Sequence, residues 1–135
     1  MRRVVLDPSV LVSALINPSG APGSLLLEIR GGAMELIISP LLLDELEGVL
    51  NRDKFRRYFD LTAAREYVDL LRHDATAVAD PEGPPPLYSA DPNDDYLLTL
   101  AHSQKAVLVS GDKHLLDIGR GAPILAPADL PTPSV

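Results

Sequence analysis

The feature that most constrains this chain is an apolar run near its start that ends at a single carboxylate. Val4, Val5 and Leu6 are typical of a buried strand, and Asp7 follows them directly. Pro8 then stands at the predicted start of a helix, where its missing N–H costs nothing. A residue before proline avoids the helical conformation, so Asp7 is expected to lie extended at the tip of the strand. Sites in open α/β sheets form at such tips, so we ask which other acids converge on Asp7.

The rest of the chain alternates between strand-like and helix-like segments. The predicted strands are Arg3–Asp7, Glu35–Ser39, Ala75–Ala79, Ala106–Ser110 and Ile124–Leu125. The predicted helices are Ser9–Leu15, Ala21–Arg30, Pro40–Leu50, Ala63–His73, Pro92–Gln104 and a short one from Asp112 to Ile118. Thr62 is the predicted N-cap of the fourth helix, with Leu61 as a hydrophobic staple. This alternation predicts an α/β fold, a three-layer α/β/α sandwich around a mainly parallel sheet.

Length, charge and cysteine content narrow the class of protein. The 135 residues predict a single domain over residues 1–130 and a flexible tail over residues 131–135. A net charge of −7 disfavours non-specific binding of nucleic acid, so such a ligand would need a metal or a local basic patch. The chain has no cysteine, which excludes disulfides and thiolate metal sites and fits a cytoplasmic protein. No apolar run approaches the roughly 20 residues of a membrane span.

Glu45 stands out within the third predicted helix. At about 100° per residue, one broad apolar face contains Leu41, Leu42, Leu43, Leu46, Val49 and Leu50. Asp44, Glu47 and Gly48 fall on the opposite side, whereas Glu45 falls inside the apolar face. A carboxylate that faces a core is costly unless it is paired, protonated or bound to a metal. Glu45 is therefore either a partner in a buried salt bridge or an acid directed at the site that Asp7 opens.

The acids around the fifth predicted helix have two interpretations. Asp91 is a good N-cap, Pro92 a good first residue, and Asp94 fits the third position of a capping box. The apolar stripe of this helix consists of Leu97, Leu98 and Ala101. Asp94 precedes these residues by three, four and seven positions, so it falls on the predicted buried face. We predict Asp94 as the site acid and Asp91 as a cap or a support.

A second apolar strand also delivers a carboxylate at its end. The strand is followed by Ser110, Gly111 and Asp112. Asp112 is predicted either as an ordinary N-cap or as a site acid, and this segment alone does not decide between them. Ser110 is expected to hydrogen-bond a metal ligand or a water. Acids from strand ends, a helix face and a helix start suit a hard divalent cation such as Mg²⁺ or Mn²⁺, which prefers carboxylate and water ligands.

Four motifs in order resemble those of PIN-domain ribonucleases, and most closely the toxin-like VapC branch of prokaryotic toxin–antitoxin pairs. They occupy residues 5–14, 37–46, 91–98 and 108–116. The resemblance extends from Val4 to about Leu130. It implies Mg²⁺- or Mn²⁺-dependent endonuclease activity on RNA. The family's catalytic and metal-binding acids match Asp7, Glu45, Asp94 and Asp112, and Ser9 matches a small polar residue that supports the first aspartate.

The chain departs from the family pattern at two positions near these acids. Pro8 stands where the family usually has threonine, and His114 stands where a second aspartate is common. Neither change removes one of the four acids. Both put in doubt the groups that surround the acids and the rate of the reaction.

The resemblance also implies an antitoxin partner and a homodimer. An acidic cleft is a good receptor for a cationic side chain, so we expect an antitoxin to place an arginine or lysine among the four acids. The one dense basic run, over residues 52–57, could contact RNA phosphates, although a solvated surface explains it equally well. The aromatic residues Phe55, Tyr58 and Phe59 are expected to serve the core or a dimer contact.

Two other classes of protein compete with a nuclease. A PIN fold that binds RNA or an antitoxin without cleaving would keep the fold and lose the chemistry. A phospho-receiver domain is also α/β with clustered acids, but it requires an acid pair just after the first strand and a lysine at a late strand end. Neither feature is evident in this sequence, so the receiver is disfavoured.

Overall fold

The computed structural model describes residues 2–81, 95–111 and 124–127. The strands are β1 Arg2–Leu6, β2 Met34–Ile38, β3 Thr76–Ala77, β4 Val107–Val109 and β5 Ile124–Leu125. The helices are α1 Pro8–Ile16, α2 Ala21–Arg30, α3 Pro40–Leu50, α4 Leu61–Asp74 and α5 Asp95–Ser103, with a 3₁₀ turn at Asp53–Phe55. The predicted bounds of α2 and α3 are confirmed: glycine flanks α2 at both ends, and α3 begins at Pro40 and ends before Asn51.

The strands form one sheet in the order β3-β2-β1-β4-β5, and every neighbouring pair is parallel. The central strand β1 is apolar over its last three residues, Val4, Val5 and Leu6, which are fully buried. This continuous burial is typical of a central parallel strand covered on both faces. The predicted α/β sandwich with a parallel sheet is confirmed. Because β1 lies between β2 and β4, the segments that follow these three strands emerge at the same edge of the sheet.

The connection from α1 to α2 is tightly packed, and the break predicted at residues 17–20 is confirmed. Gly23 is buried in the first turn of α2. A Cβ atom at this position would lie 2.0 Å from the carbonyl oxygen of Pro18. The helix can therefore approach the preceding turn only because residue 23 has no side chain.

Helix α4 is held against α1 by a buried phenol. The Tyr67 hydroxyl donates a hydrogen bond of 2.6 Å to the carbonyl of Leu11. Burial raises the pKa of Tyr67 above its ordinary value, because a phenolate would be poorly solvated there. The hydroxyl therefore remains a donor and joins two helices that lie far apart in the sequence.

The start of α4 differs from the prediction. Asp60, not Thr62, is the N-cap, and its Oδ1 accepts a hydrogen bond of 2.7 Å from the N–H of Ala63. Leu61 is the first helical residue and is 51% exposed, so the predicted hydrophobic staple is also wrong. Asp60 and Thr62 lie only two positions apart. Asp60 directly precedes the helix, so its side-chain oxygen is the one that accepts from the first turn.

The predicted apolar face of α3 is wider than the observed one. Leu42, Leu46 and Leu50 are buried, whereas Leu41 is 49% exposed. Leu41 lies in the first turn of α3, where its N–H donates to both carboxylate oxygens of Asp80 at 3.2 and 3.3 Å. Because the buried stripe is narrower than predicted, Glu45 lies half-buried at its margin rather than within the core.

No helix among the described residues is long and apolar enough to cross a membrane by itself. Helices α1 and α2 reach the length and composition only when they are taken together, and the chain bends by 98° between them.

Candidate active site at the carboxyl edge of the sheet

Asp7 lies between the central strand and helix α1. Its backbone has φ −54° and ψ 140°, an extended conformation that agrees with the restriction imposed by Pro8. Its N–H donates a hydrogen bond of 2.9 Å to the carbonyl of Val109, which extends the pairing of β1 with β4 by one residue. The predicted location of Asp7 at the strand tip is confirmed.

Both oxygens of the Asp7 carboxylate accept hydrogen bonds. Oδ1 accepts from the N–H of Ser9, and Oδ2 accepts from the hydroxyl of Ser110, each at 2.9 Å. The aspartate is 7% exposed and Ser110 is fully buried. A carboxylate oxygen has two lone-pair sites, so each oxygen retains acceptor capacity for a cation or a water. The structure thus joins Asp7 to both serines that the sequence analysis selected as supports.

The two hydrogen bonds have different structural meanings. The bond from Ser9 is the N-cap bond of α1, and such a bond alone would explain an aspartate at this position. Capping does not explain Ser110, which lies 103 residues further along the chain and directly follows β4. The buried hydroxyl fixes the plane of the carboxylate from the opposite side, as expected of a group that must hold one orientation.

Glu45 lies on the helix that follows β2, the neighbour of β1 on the side opposite β4. It lies in the second turn of α3, which follows β2 after Ser39. Its Oε2 accepts a hydrogen bond from the Tyr96 hydroxyl of α5. No lysine, arginine or histidine among the described residues forms an ion pair with it, so the salt-bridge interpretation has no support there.

Tyr96 is the residue that the sequence analysis missed. It belongs to the third motif and follows two acids in the sequence, but it lies 51 residues from Glu45. Within α5, Leu97, Leu98 and Ala101 are buried as predicted. An aromatic residue with a hydroxyl, beside acids and at the margin of an apolar stripe, is the signal that could have identified it.

The described residues contain only part of the predicted site. Asp91, Asp94 and Asp112 lie outside them, as does His114. Within residues 2–81, 95–111 and 124–127, no three acidic or histidine side chains form a group that could hold a metal ion. The two predicted acids that are described, Asp7 and Glu45, supply the hard oxygen atoms that Mg²⁺ and Mn²⁺ prefer.

A groove of about 480 Å³ lies between α3 and α4, away from these acids. Its floor is apolar, with Leu50, Ala64 and Val68, and its rim carries an ion pair of 3.0 Å between Arg72 and Glu47. The groove contains neither Asp7 nor Glu45. Its size alone therefore does not make this groove the candidate site.

The basic run folds partly onto its own aromatic residues. Arg56 donates a hydrogen bond to the carbonyl of Leu50 at the end of α3, and its guanidinium lies 5.3 Å from the ring of Phe59. Arg57 lies 4.8 Å from the ring of Tyr58 and donates to the Tyr58 hydroxyl. Arg56 therefore stabilises the end of a helix, whereas Arg57 remains exposed.

Residues 3–114 match the PIN domain family. The uncharacterized protein MJ1680 of Methanocaldococcus jannaschii is 29% identical over 116 residues, which cover 86% of this chain and 74% of that protein.

Two solved structures have a similar fold. PAE2754 from Pyrobaculum aerophilum superposes with a TM-score of 0.62 at 20% identity, over 94% of this chain and 85% of the other. VapBC2 from Rickettsia felis, in a structure with a DNA fragment from the promoter, superposes with a TM-score of 0.61 at 19% identity. The match covers 91% of this chain and 96% of that one. At these identities the likeness establishes the fold alone. The family match spans most of the sequence, and the chain therefore belongs to the PIN domain family.

Proposed function

We propose that this protein is a metal-dependent endoribonuclease of the cytoplasm, and that it is the toxin of a toxin–antitoxin pair. The observation that carries the proposal is the buried carboxylate of Asp7, which Ser9 and Ser110 hold at the carboxyl end of the central strand. Membership of the PIN domain family supports a nuclease. The nuclease domain is proposed to span residues 1–130.

The proposed metal ligands are Asp7, Glu45, Asp94 and Asp112. Their oxygen atoms suit Mg²⁺ or Mn²⁺. A divalent cation bound there would activate water and stabilise the negative charge that develops on the phosphodiester.

The protein's own groups prepare the site before RNA arrives. Ser9 and Ser110 orient the Asp7 carboxylate, so that it need not reorganise when a ligand binds. Glu45 or Asp94 is proposed to orient the attacking water. Asp91 is proposed to support the start of α5.

The departure at Pro8 leaves the hydrogen bonds of Asp7 intact. Pro8 is the first residue of α1 and has no N–H, but the cap bond to Asp7 comes from Ser9. The second oxygen is satisfied by Ser110. The loss of a threonine hydroxyl at position 8 is therefore compatible with an oriented first aspartate.

The direct test of the proposal is cleavage of total RNA with and without a divalent cation. We expect fragments to appear in Mn²⁺ or Mg²⁺ and to disappear when EDTA removes the metal, because the acids cannot stabilise anionic phosphate unaided. Fragment production would be followed on denaturing gels. RNA that is retained on the protein but stays intact in Mn²⁺ would favour the non-cleaving binder instead. Equal cleavage in EDTA would exclude the proposed metal site.

The partner of the toxin is proposed to be a protein that places an arginine or lysine among the four acids. The chain's net charge of −7 and the remaining acceptor sites on Asp7 favour a cationic side chain. The structural similarity to VapBC2 supports an antitoxin partner, and the inserted cationic side chain is our proposal from the charges alone.

The partner prediction can be tested by titrating the product of a neighbouring gene at several Mn²⁺ concentrations. We expect inhibition to weaken as Mn²⁺ or salt rises, because cation and side chain compete for the same carboxylates. Inhibition that ignores Mn²⁺ would place the partner elsewhere. Light scattering on the same samples would test the proposed homodimer, for which the exposed Leu27 is a contact candidate.

A further inference from the structure

The hydrogen bond between Tyr96 and Glu45 connects two elements that flank the proposed site. Tyr96 is the second residue of α5, and its hydroxyl donates to Oε2 of Glu45 in α3. Both side chains are half-buried. The Tyr96 ring packs against the core beside the buried residues Leu97 and Leu98, so the hydroxyl is presented from a rigid support.

The hydrogen bond from Tyr96 engages only Oε2 of the Glu45 carboxylate. Among the described residues, no donor other than Tyr96 reaches this group, and Oε1 accepts no hydrogen bond from them. Glutamate has more rotamer freedom than aspartate, and this freedom is lost when its carboxylate is fixed. A tyrosine on a packed helix can fix it before a ligand arrives.

We propose that Tyr96 is a positioning residue that holds Glu45 in one rotamer through Oε2, so that its Oε1 stays available to a divalent cation. This inference rests on the proposed function, because it assumes that Glu45 is a metal ligand. The inference adds the Tyr96 hydroxyl to the four proposed acids and assigns it to Oε2 of Glu45. Groups that orient a metal ligand typically change metal affinity or activity by about 10- to 100-fold when they are removed.

The test is the affinity for Mn²⁺ in the absence of RNA, measured by electron paramagnetic resonance or calorimetry. Tyr96→Phe keeps the ring and removes only the hydroxyl, so we expect about 10-fold weaker binding. Tyr58→Phe is the matched control, since it removes an exposed hydroxyl that is bonded to Arg57. This control should bind Mn²⁺ like the wild type.

A double-mutant comparison asks whether Tyr96 acts through Glu45. In a Glu45→Ala background, Tyr96→Phe should weaken Mn²⁺ binding no further, because the group that it positions is gone. A full additional loss in that background would overturn the inference. So would a Tyr96→Phe variant that melts at a lower temperature without metal but binds Mn²⁺ normally, since that result identifies a purely structural hydroxyl.

The same measurements separate this inference from the proposed function. If Asp7→Asn weakens Mn²⁺ binding and Tyr96→Phe does not, only the role of Tyr96 is wrong. If neither variant changes the affinity, the assigned metal site is wrong as well. With RNA present, the loss in Tyr96→Phe should appear in kcat at subsaturating Mn²⁺, recover as Mn²⁺ is raised, and leave the KM for RNA unchanged.

Discussion

Replacement of Asp7 by asparagine is expected to lower the rate of Mn²⁺-dependent RNA cleavage by about 10³-fold, comparable to the loss of a major group that stabilises charge. Asparagine caps helices about as well as aspartate. Its Oδ1 can still accept from Ser9, and its amide can donate to the hydroxyl of Ser110. The substitution therefore removes the negative charge while both hydrogen-bonded neighbours keep a partner. Initial rates at fixed Mn²⁺ and thermal unfolding without metal would be measured together.

The matched control for this experiment is Asp60→Asn. Asp60 is also an N-cap aspartate, and its Oδ1 accepts from the N–H of Ala63. It makes the same kind of capping bond in α4 and is absent from the proposed site. We expect it to cleave RNA at the wild-type rate. If Asp7→Asn also cleaved normally, Asp7 would be a cap and the assigned site would be wrong.

The second large effect is on the free energy of unfolding, and we expect it to have opposite signs at Gly23 and Gly48. Gly23→Ala should destabilise the protein by about 3 kcal/mol, the upper part of the usual range for overpacking, because its Cβ would meet the backbone of Pro18 at 2.0 Å. Gly48→Ala should stabilise it by about 0.5–1 kcal/mol. A Cβ at Gly48 would meet no atom within 4 Å beyond its own stretch of helix, and the residue lies inside helix α3.

Urea unfolding of the two variants measures these free energies directly. Opposite signs are expected, since one added methyl group collides with backbone and the other restricts only the unfolded chain. Equal changes at the two positions would show that the turn at Pro18 adjusts to a side chain. In that case the close approach of α2 would not require glycine.

Much of the fold could be predicted because residues that start or stop helices lie next to the helices in the sequence. Helix α3 begins at Pro40 and follows Ser39, whose side chain caps it, and both signals are visible in the sequence. The exposure of Leu41 could not be predicted in this way. The width of a buried helix face depends on which neighbours cover it, and here Asp80 caps the first turn from a distant segment.

In the candidate site, too, local features could be predicted from the sequence and long-range contacts could not. The position of Asp7 followed from an apolar run and a proline that are adjacent in the sequence. The contact of Tyr96 with Glu45 joins residues 51 positions apart, and no local pattern specifies such a pair. Sequence therefore suggested candidate acids and the supports Ser9 and Ser110, whereas the contact between Tyr96 and Glu45 required the folded chain.

The bond between Ser110 and Asp7 also bears on when the proposed site can form during synthesis of the chain. The two residues are separated by 103 positions, so the first acid emerges from the ribosome long before the hydroxyl that holds it. At about 5–20 residues per second, this interval lasts on the order of 5–20 s. Until β4 docks on β1, the N–H of Asp7 also lacks its acceptor on Val109. An unfinished chain therefore lacks both partners that β4 and Ser110 give to Asp7, so the proposed site can be assembled only after residue 110 has been made.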